Sequence, residues 1–200
     1  MSAAALQGRA LFATRVYAFD LESERAESLN GQLRAEIDRL LTPRPAVQPW
    51  QTRHDLHLSP AFAPLVEIVQ AAARQMAQDL RLVVEGFRIT GCWANVNAPA
   101  LSHNAHNHPN NLFSGVYYLA TGKGADVITF LDPRPQVLQV LPRFQKPTAD
   151  NLTEINLPTP EGRLILFPGW FVHGVPANRS NRERVSVSFN LMPAGWPAAS

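Results

Sequence analysis

Cysteine is almost absent from this 200-residue chain: Cys92 stands alone, so no disulfide can form within it. Nothing in the first twenty residues builds the apolar stretch of a secretory signal, and the cytoplasm is therefore the expected compartment. No apolar run approaches the roughly eighteen residues that a membrane span needs. Charge is scarce too. Asp, Glu, Lys and Arg make up 17% of the chain and the formal net charge is +2. The basic residues are scattered, without the stripe and interleaved aromatics of a nucleic-acid groove, so no nucleic-acid partner is expected. Residues 1–15 hold Arg9 and Arg15 but no acid, a composition weakly like that of a transit peptide. The preferred reading is a first β-strand over residues 11–19.

Hydrophobic side chains make up 46% of the residues, enough for one domain over residues 1–200 and too few for two. Seventeen prolines against eleven glycines predict short elements and many loops, as in a β-rich enzyme.

Three of the six histidines lie in one heptapeptide, His103-Asn104-Ala105-His106-Asn107-His108-Pro109. On an extended backbone His106 and His108, two apart, project from one face, whereas His103 and His106 point to opposite faces. Pro109 biases His108 toward the extended region. Such a pair offers a metal two adjacent imidazoles and needs a third ligand from elsewhere. The only histidine C-terminal to the cluster is His173. A solvated His/Asn/Pro loop is the competing reading of the heptapeptide alone.

Leucines and isoleucines at spacings of three and four predict an amphipathic helix over residues 22–41, stopped by Pro43 and Pro45. His54 and His57 follow in an irregular passage and are read as surface residues. Ser59 and Pro60 are expected to cap and open a second helix with Phe62, Leu65, Val69, Ala72, Ala73 and Met76 on its buried face. From residue 81 the period shortens toward two. Strands are predicted over residues 82–89, 92–97, 112–119, 126–131, 163–173 and 184–190, and residues 143–160 as a mobile loop or short edge strands. In the last strand Arg184, Ser186, Ser188 and Asn190 share one face. About eight strands without helical crossovers imply an antiparallel jelly roll, with an N-terminal strand and two helices in residues 1–80 and the core in residues 81–192. Both helices are expected on one side of a sheet.

Between residues 87 and 192 a collinear set of motifs stands out: Trp93 and Asn95; His106-Asn107-His108-Pro109; Ser114-Gly115-Val116-Tyr117-Tyr118-Leu119; Asp132-Pro133-Arg134; Phe167-Pro168 with His173; and residues 184–190. In this order the chain resembles the iron(II)- and 2-oxoglutarate-dependent oxygenases, in particular a bacterial and phage subfamily. The resemblance implies a double-stranded β-helix of cupin-like, mainly β (α+β) type. It also implies Fe(II), 2-oxoglutarate as cosubstrate, dioxygen, and a hydroxylase acting on an unactivated C–H bond. That family usually ligates its metal with histidine, aspartate two residues on, and a distant histidine; here His108 stands where the carboxylate would fall. Two arrangements follow: a site of His106, His108 and His173, which is preferred, or two histidines completed by a carboxylate such as Asp132.

A cation is then needed for the far carboxylate of 2-oxoglutarate, and Arg184 is the candidate, because a guanidinium suits a carboxylate. Ser186 on the same face, Tyr118, and Asn95 near the other carboxylate complete the expected cosubstrate site. Arg134, Trp170 and residues 143–160 are the expected contacts of the prime substrate, a small molecule or peptide. A homodimer is a further expectation. Two rival readings use the same fold: a three-histidine dioxygenase without 2-oxoglutarate, and a non-catalytic binding module.

Overall fold

The computed structural model describes residues 11–46 and 48–196. The transit-like composition of residues 1–10 lies outside them. The chain runs β1 (Tyr17–Asp20), α1 (Ser23–Leu40), β2 (Trp50–Gln51), α2 (Ala63–Asp79), β3 (Phe87–Asn97), β4 (His103–His106), β5 (Phe113–Ala120), β6 (Val127–Leu131), β7 (Glu154–Pro158), β8 (Arg163–Pro168), β9 (His173–Val175) and β10 (Arg184–Pro193). Two sheets form, in the orders β1-β8-β5-β10-β3-β2 and β4-β9-β6-β7. Neighbouring strands in both are antiparallel, as expected for a jelly roll.

Alternation along the central strands decides what each face does. On β10, Val185, Val187, Phe189 and Leu191 pack under the helices, while Arg184, Ser186 and Ser188 face the space between the sheets. On β3, Cys92, Ala94 and Val96 point to the helices and Trp93, Asn95 and Asn97 inward. The helices supply the matching stripes: Leu29, Leu33 and Ile37 from α1, and Leu65, Val69, Ala72, Ala73 and Met76 from α2. Tyr117 ties β5 to α1 by donating its hydroxyl to Asn30 at 2.7 Å. A second, smaller cluster of Tyr118, Ile128, Phe130, Ile165, Phe167 and Phe171 closes part of the interior between the sheets.

Four local expectations need correction. The first strand is Tyr17–Asp20, shorter than residues 11–19, because among the described residues it pairs only with Arg163–Leu166 on β8. Arg15 before it and Tyr17 at its start both bond Asp79 at the end of α2. The strand placed over residues 82–89 starts at Phe87, since Arg81 and Leu82 are used to stop α2. Arg81 takes φ 53° and donates its amide to Gln78 at 3.1 Å, and Leu82 donates to Ala77 at 2.9 Å. These two bonds make a Schellman stop, with arginine where glycine is commoner. Ser59 makes no side-chain cap; Pro60–Phe62 is a single 3-10 turn, and α2 proper begins at Ala63 with Pro64 in its first turn. The predicted run 163–173 is two strands in different sheets, joined by a corner at residues 169–172. That corner carries the chain from the helix-backed sheet to the thin one.

Candidate metal centre and cosubstrate cavity

The thin sheet gathers three histidines. His106 ends β4 and is the register partner of His173, which begins β9. His108 follows β4 and is held by its backbone amide, which donates to the Gly169 carbonyl at 2.8 Å. Gly169 in turn donates to the Leu112 carbonyl at 3.0 Å, so the corner and the histidine loop are laced together. Only glycine fits there: a Cβ would lie 2.3 Å from the Asn111 carbonyl oxygen and 3.2 Å from that of His108. The ring centroids are 4.5 Å apart for His106 and His173, 5.0 Å for His106 and His108, and 5.2 Å for His108 and His173.

Each imidazole offers one nitrogen, and the three lie within 4.8 Å of one another. Metal–nitrogen bonds of about 2.0–2.1 Å span at most about 4.2 Å between two ligands, so the rings need only a small closing movement to share one ion. Two tautomers are fixed by the backbone. His106 Nδ1 lies 2.8 Å from the Asn104 carbonyl and His173 Nδ1 lies 2.9 Å from that of Phe171. A carbonyl only accepts, so both Nδ1 atoms carry the proton and both Nε2 lone pairs are free to ligate. Burial, with His106 nearby, pushes His108 down to about 4. Burial likewise pushes His173 down to about 4 against the opposing Phe171 carbonyl. Both are neutral ligands in ordinary buffers. Asp132 stands outside this cluster. Arg134 takes up its carboxylate, donating from Nε at 3.0 Å and Nη2 at 2.7 Å, and so holds its pKa below the usual carboxylate range.

The imidazoles open on a cavity of about 110 Å³, roomy beside the 10–15 Å³ or so that one water needs. Asn97, Asn95 and Trp93 line one wall from β3; Arg184, Ser186 and Ser188 run alongside from β10; Val116 and Tyr118 come from β5. No aspartate or glutamate lines it. Arg184 is 3% exposed and among the described residues makes no salt bridge; its Nη1 donates to the Pro176 carbonyl at 3.1 Å and its buried Nη2 has no partner. Desolvation lowers its pKa. The buried hydroxyl of Tyr118 is also without a partner, and burial pushes its pKa well up. Buried polar groups are nearly always satisfied, so two orphan donors in one cavity mark a place for an acceptor.

Asn95, by contrast, is largely committed: its Oδ1 accepts from Gln51 at 2.9 Å and its Nδ2 donates to Ser188 at 3.0 Å. Two expected residues do not reach the cavity. Arg134 folds back on Asp132 and is exposed, and Trp170 lies outside against Phe171 with 52% exposure. His103 does reach it, contrary to the expectation of opposite faces. The β4–β9 register shifts between His103 and His106, and the irregularity brings residues three apart to one side. Trp93 and Gln51 were not among the expected site residues. Period-two reading of β3 from Asn95 would have found Trp93 and Asn97, but β2 is too short to show a period. His54 stays at the surface, stacked on Trp93 at 4.4 Å.

The fold is a jelly roll in which three histidines that could hold a metal share a cavity with an unpartnered arginine. Residues 91–190, half of the chain, match the protein family described as "Putative 2OG-Fe(II) oxygenase". The chain belongs to that family of 2-oxoglutarate-dependent oxygenases. Several solved structures share its fold. HygX from Streptomyces hygroscopicus, with nickel and 2-oxoglutarate bound, is 15% identical, with 94% of this chain and 86% of that one covered and a TM-score of 0.64. A prolyl-4-hydroxylase from Pseudomonas putida is 18% identical over 90% and 93%, TM-score 0.62. The non-heme α-ketoglutarate-dependent epimerase SnoN from nogalamycin biosynthesis is 14% identical over 90% and 79%, TM-score 0.66. No curated protein sequence matches the chain. Among the described residues no helix is long and apolar enough to cross a membrane.

Proposed function

We propose that the protein is an iron(II)- and 2-oxoglutarate-dependent hydroxylase of a small molecule or peptide. The observation that carries this is the unpartnered Arg184 Nη2 and Tyr118 hydroxyl in the cavity that the three imidazoles share. His106, His108 and His173 would hold the metal, the first and last through Nε2. Three neutral ligands leave an iron(II) charge of +2, which a 2-oxoglutarate dianion balances; its far carboxylate meets Arg184 and Tyr118, with Ser186 beside them. Asn95 keeps one amide hydrogen for the other end. When bound, iron(II) with 2-oxoglutarate and dioxygen supplies the oxidising power, one oxygen atom leaving in succinate, with carbon dioxide released, and the other entering the substrate C–H bond.

The protein's part is placement. The wall that carries Arg184 and Tyr118 is packed against both helices, the acid-free lining favours anionic or neutral ligands, and exposed His106 leaves the metal side open to the substrate. Trp93, Gln51 and Ser188 form the lining at the end away from Arg184 and are the nearest surfaces for that substrate. The relatives in fold include an epimerase beside a prolyl-4-hydroxylase, so a hydroxylated product is the outcome that identifies the reaction.

Anaerobic addition of iron(II) and 2-oxoglutarate to the metal-free protein should give the visible charge-transfer band of the chelate. His173→Ala should abolish it and Arg184→Ala weaken it. No band in the wild type, with turnover that needs no 2-oxoglutarate, would favour a three-histidine dioxygenase without this cosubstrate; a band unchanged by Arg184→Ala would count against Arg184 as the carboxylate's partner. Absence of succinate with every substrate, together with ligand affinity that survives loss of His106, would favour a binding module.

A further inference from the structure

The cavity holds a fourth histidine that the metal cluster does not use. His103 opens β4, and its ring enters the cavity beside Arg184. Two separate contacts fix that neighbourhood. His103 pairs with Val175 across β4 and β9, and the next residue, Pro176, accepts from Arg184 Nη1. Asn97, register partner of Arg184, reaches the His103 ring with its carboxamide. Asn178 buckles the frame: its amide donates to the Asn97 and Arg182 carbonyls at 3.1 and 2.7 Å. Its backbone also exchanges bonds with Ala100 and Leu101.

Asn97 also sets where the ring's proton sits. It is 1% exposed, with Nδ2 at 2.8 Å and Oδ1 at 3.1 Å from His103 Nε2. Taking the shorter contact as an amide N–H donated to the ring lone pair puts the proton of the neutral imidazole on Nδ1. Burial and the Arg184 charge both lower the His103 pKa, in keeping with a neutral ring. No hydrogen bond uses Nδ1 among the described residues; unlike Arg184 Nη2 and the Tyr118 hydroxyl it is not sealed from solvent, so its N–H is open to an incoming acceptor. An ionised carboxylate has about four lone-pair sites. One edge of the Arg184 guanidinium is already given to Pro176, which leaves sites for further donors.

We propose that His103 donates its Nδ1–H to the far carboxylate of the cosubstrate, alongside Arg184 and Tyr118, and so sets the preference for a 2-oxo dicarboxylate over a 2-oxo monocarboxylate. This rests on the cavity being a 2-oxoglutarate site. The discriminating pair of probes is 2-oxoglutarate and 2-oxobutyrate, which lacks only the far carboxylate. Calorimetric titration of the zinc-loaded protein, wild type and His103→Phe, reads both affinities without turnover. The expected result is a roughly ten- to hundredfold loss for 2-oxoglutarate, the size of one hydrogen bond to a charged group, with 2-oxobutyrate unchanged. Equal loss for both acids, or loss for neither, overturns the assignment.

Imidazole nitrogen NMR on the same zinc-loaded wild type needs no variant and decides alone if His103→Phe fails to fold. The Nδ1–H tautomer of His103 and a ring shift with 2-oxoglutarate but not 2-oxobutyrate are expected. An Nε2–H tautomer overturns the assignment. A wild-type protein that binds neither acid overturns the cosubstrate reading and this assignment with it; the other failures leave that reading standing.

Discussion

Replacing Arg184 should move stability in opposite directions with and without the cosubstrate. In the ligand-free protein this guanidinium is 3% exposed, has one hydrogen bond to a backbone carbonyl and faces no carboxylate among the described residues. Replacing buried ionic groups by apolar residues of similar volume is often neutral or stabilises by about 1–4 kcal/mol. Arg184→Met is therefore expected to hold or raise ligand-free stability, by up to ~3 kcal/mol. For a chain of this length each kcal/mol shifts Tm by about 2–4 °C. With 2-oxoglutarate at a hundred times its Kd, the metal-loaded wild type should gain about 2.7 kcal/mol, and the variant almost none. Thermal unfolding of both proteins, with and without metal and 2-oxoglutarate, should give curves that cross. An Arg184→Met protein that is more than about 2 kcal/mol less stable without ligand, and equally stabilised by it, would refute the orphan-cation argument.

Tyr118→Phe removes the other orphan donor; affinity for 2-oxoglutarate should fall by roughly ten- to hundredfold in calorimetry while ligand-free stability holds or rises, and the reverse pattern would count against its role. Acid should loosen the metal-free fold in a defined window. The folded state holds His108 and His173 at about 4, below the ordinary value of 6.5, so their neutral-state stability is complete above about 6.5 and is lost as pH falls toward 4. For nearly buried His173 this is on the order of 3 kcal/mol, visible as a falling denaturation midpoint in urea; a flat profile across that window would contradict it. Gly169→Ala forces a Cβ to 2.3 Å from the Asn111 carbonyl and must displace the loop that carries His108. A loss of about 1–3 kcal/mol and weaker zinc binding are expected, and unchanged zinc affinity would show that His108 is positioned some other way.

Spacing made the core of the site legible. Arg184, Ser186 and Ser188 alternating on one strand need only a pleated backbone to converge, while His106 and His108, two apart, converge with the help of the Gly169 corner that holds His108 just past β4. The helices were equally clear, because Leu29, Leu33 and Ile37 repeat at helical spacing under a sheet. What sequence reading missed depends on contacts between distant segments or on breaks in a period. The β4 irregularity that turns His103 inward leaves no mark in the heptapeptide. Arg81 and Leu82 look like the start of a β-run, but two backbone bonds to α2 claim them. Arg134 looked like a substrate contact, yet Asp132 two residues away offered it a nearer partner. Gly169 reads as an ordinary Pro-Gly turn until Asn111, fifty-eight positions earlier, comes within touching distance of where a side chain would be.

The two halves of the site rest on unequal supports. Arg184 and Tyr118 stand on the central strands of the six-stranded sheet, whose other face is packed against both helices. His106 and His173 stand on β4 and β9, strands of four and three residues at one side of the thin sheet. Their ladders are short, with two register pairs between β4 and β9 and two between β9 and β6, so the Gly169 corner and the side chains that meet in the cavity help to set their register. A chelate bound to the imidazoles at one end and to the guanidinium at the other would span both sheets. It would bring a compensating charge to Arg184 and tie the weaker sheet to the stronger. On this arrangement the geometry the chemistry needs is completed by the cosubstrate itself, with the helix-backed wall serving as the fixed reference.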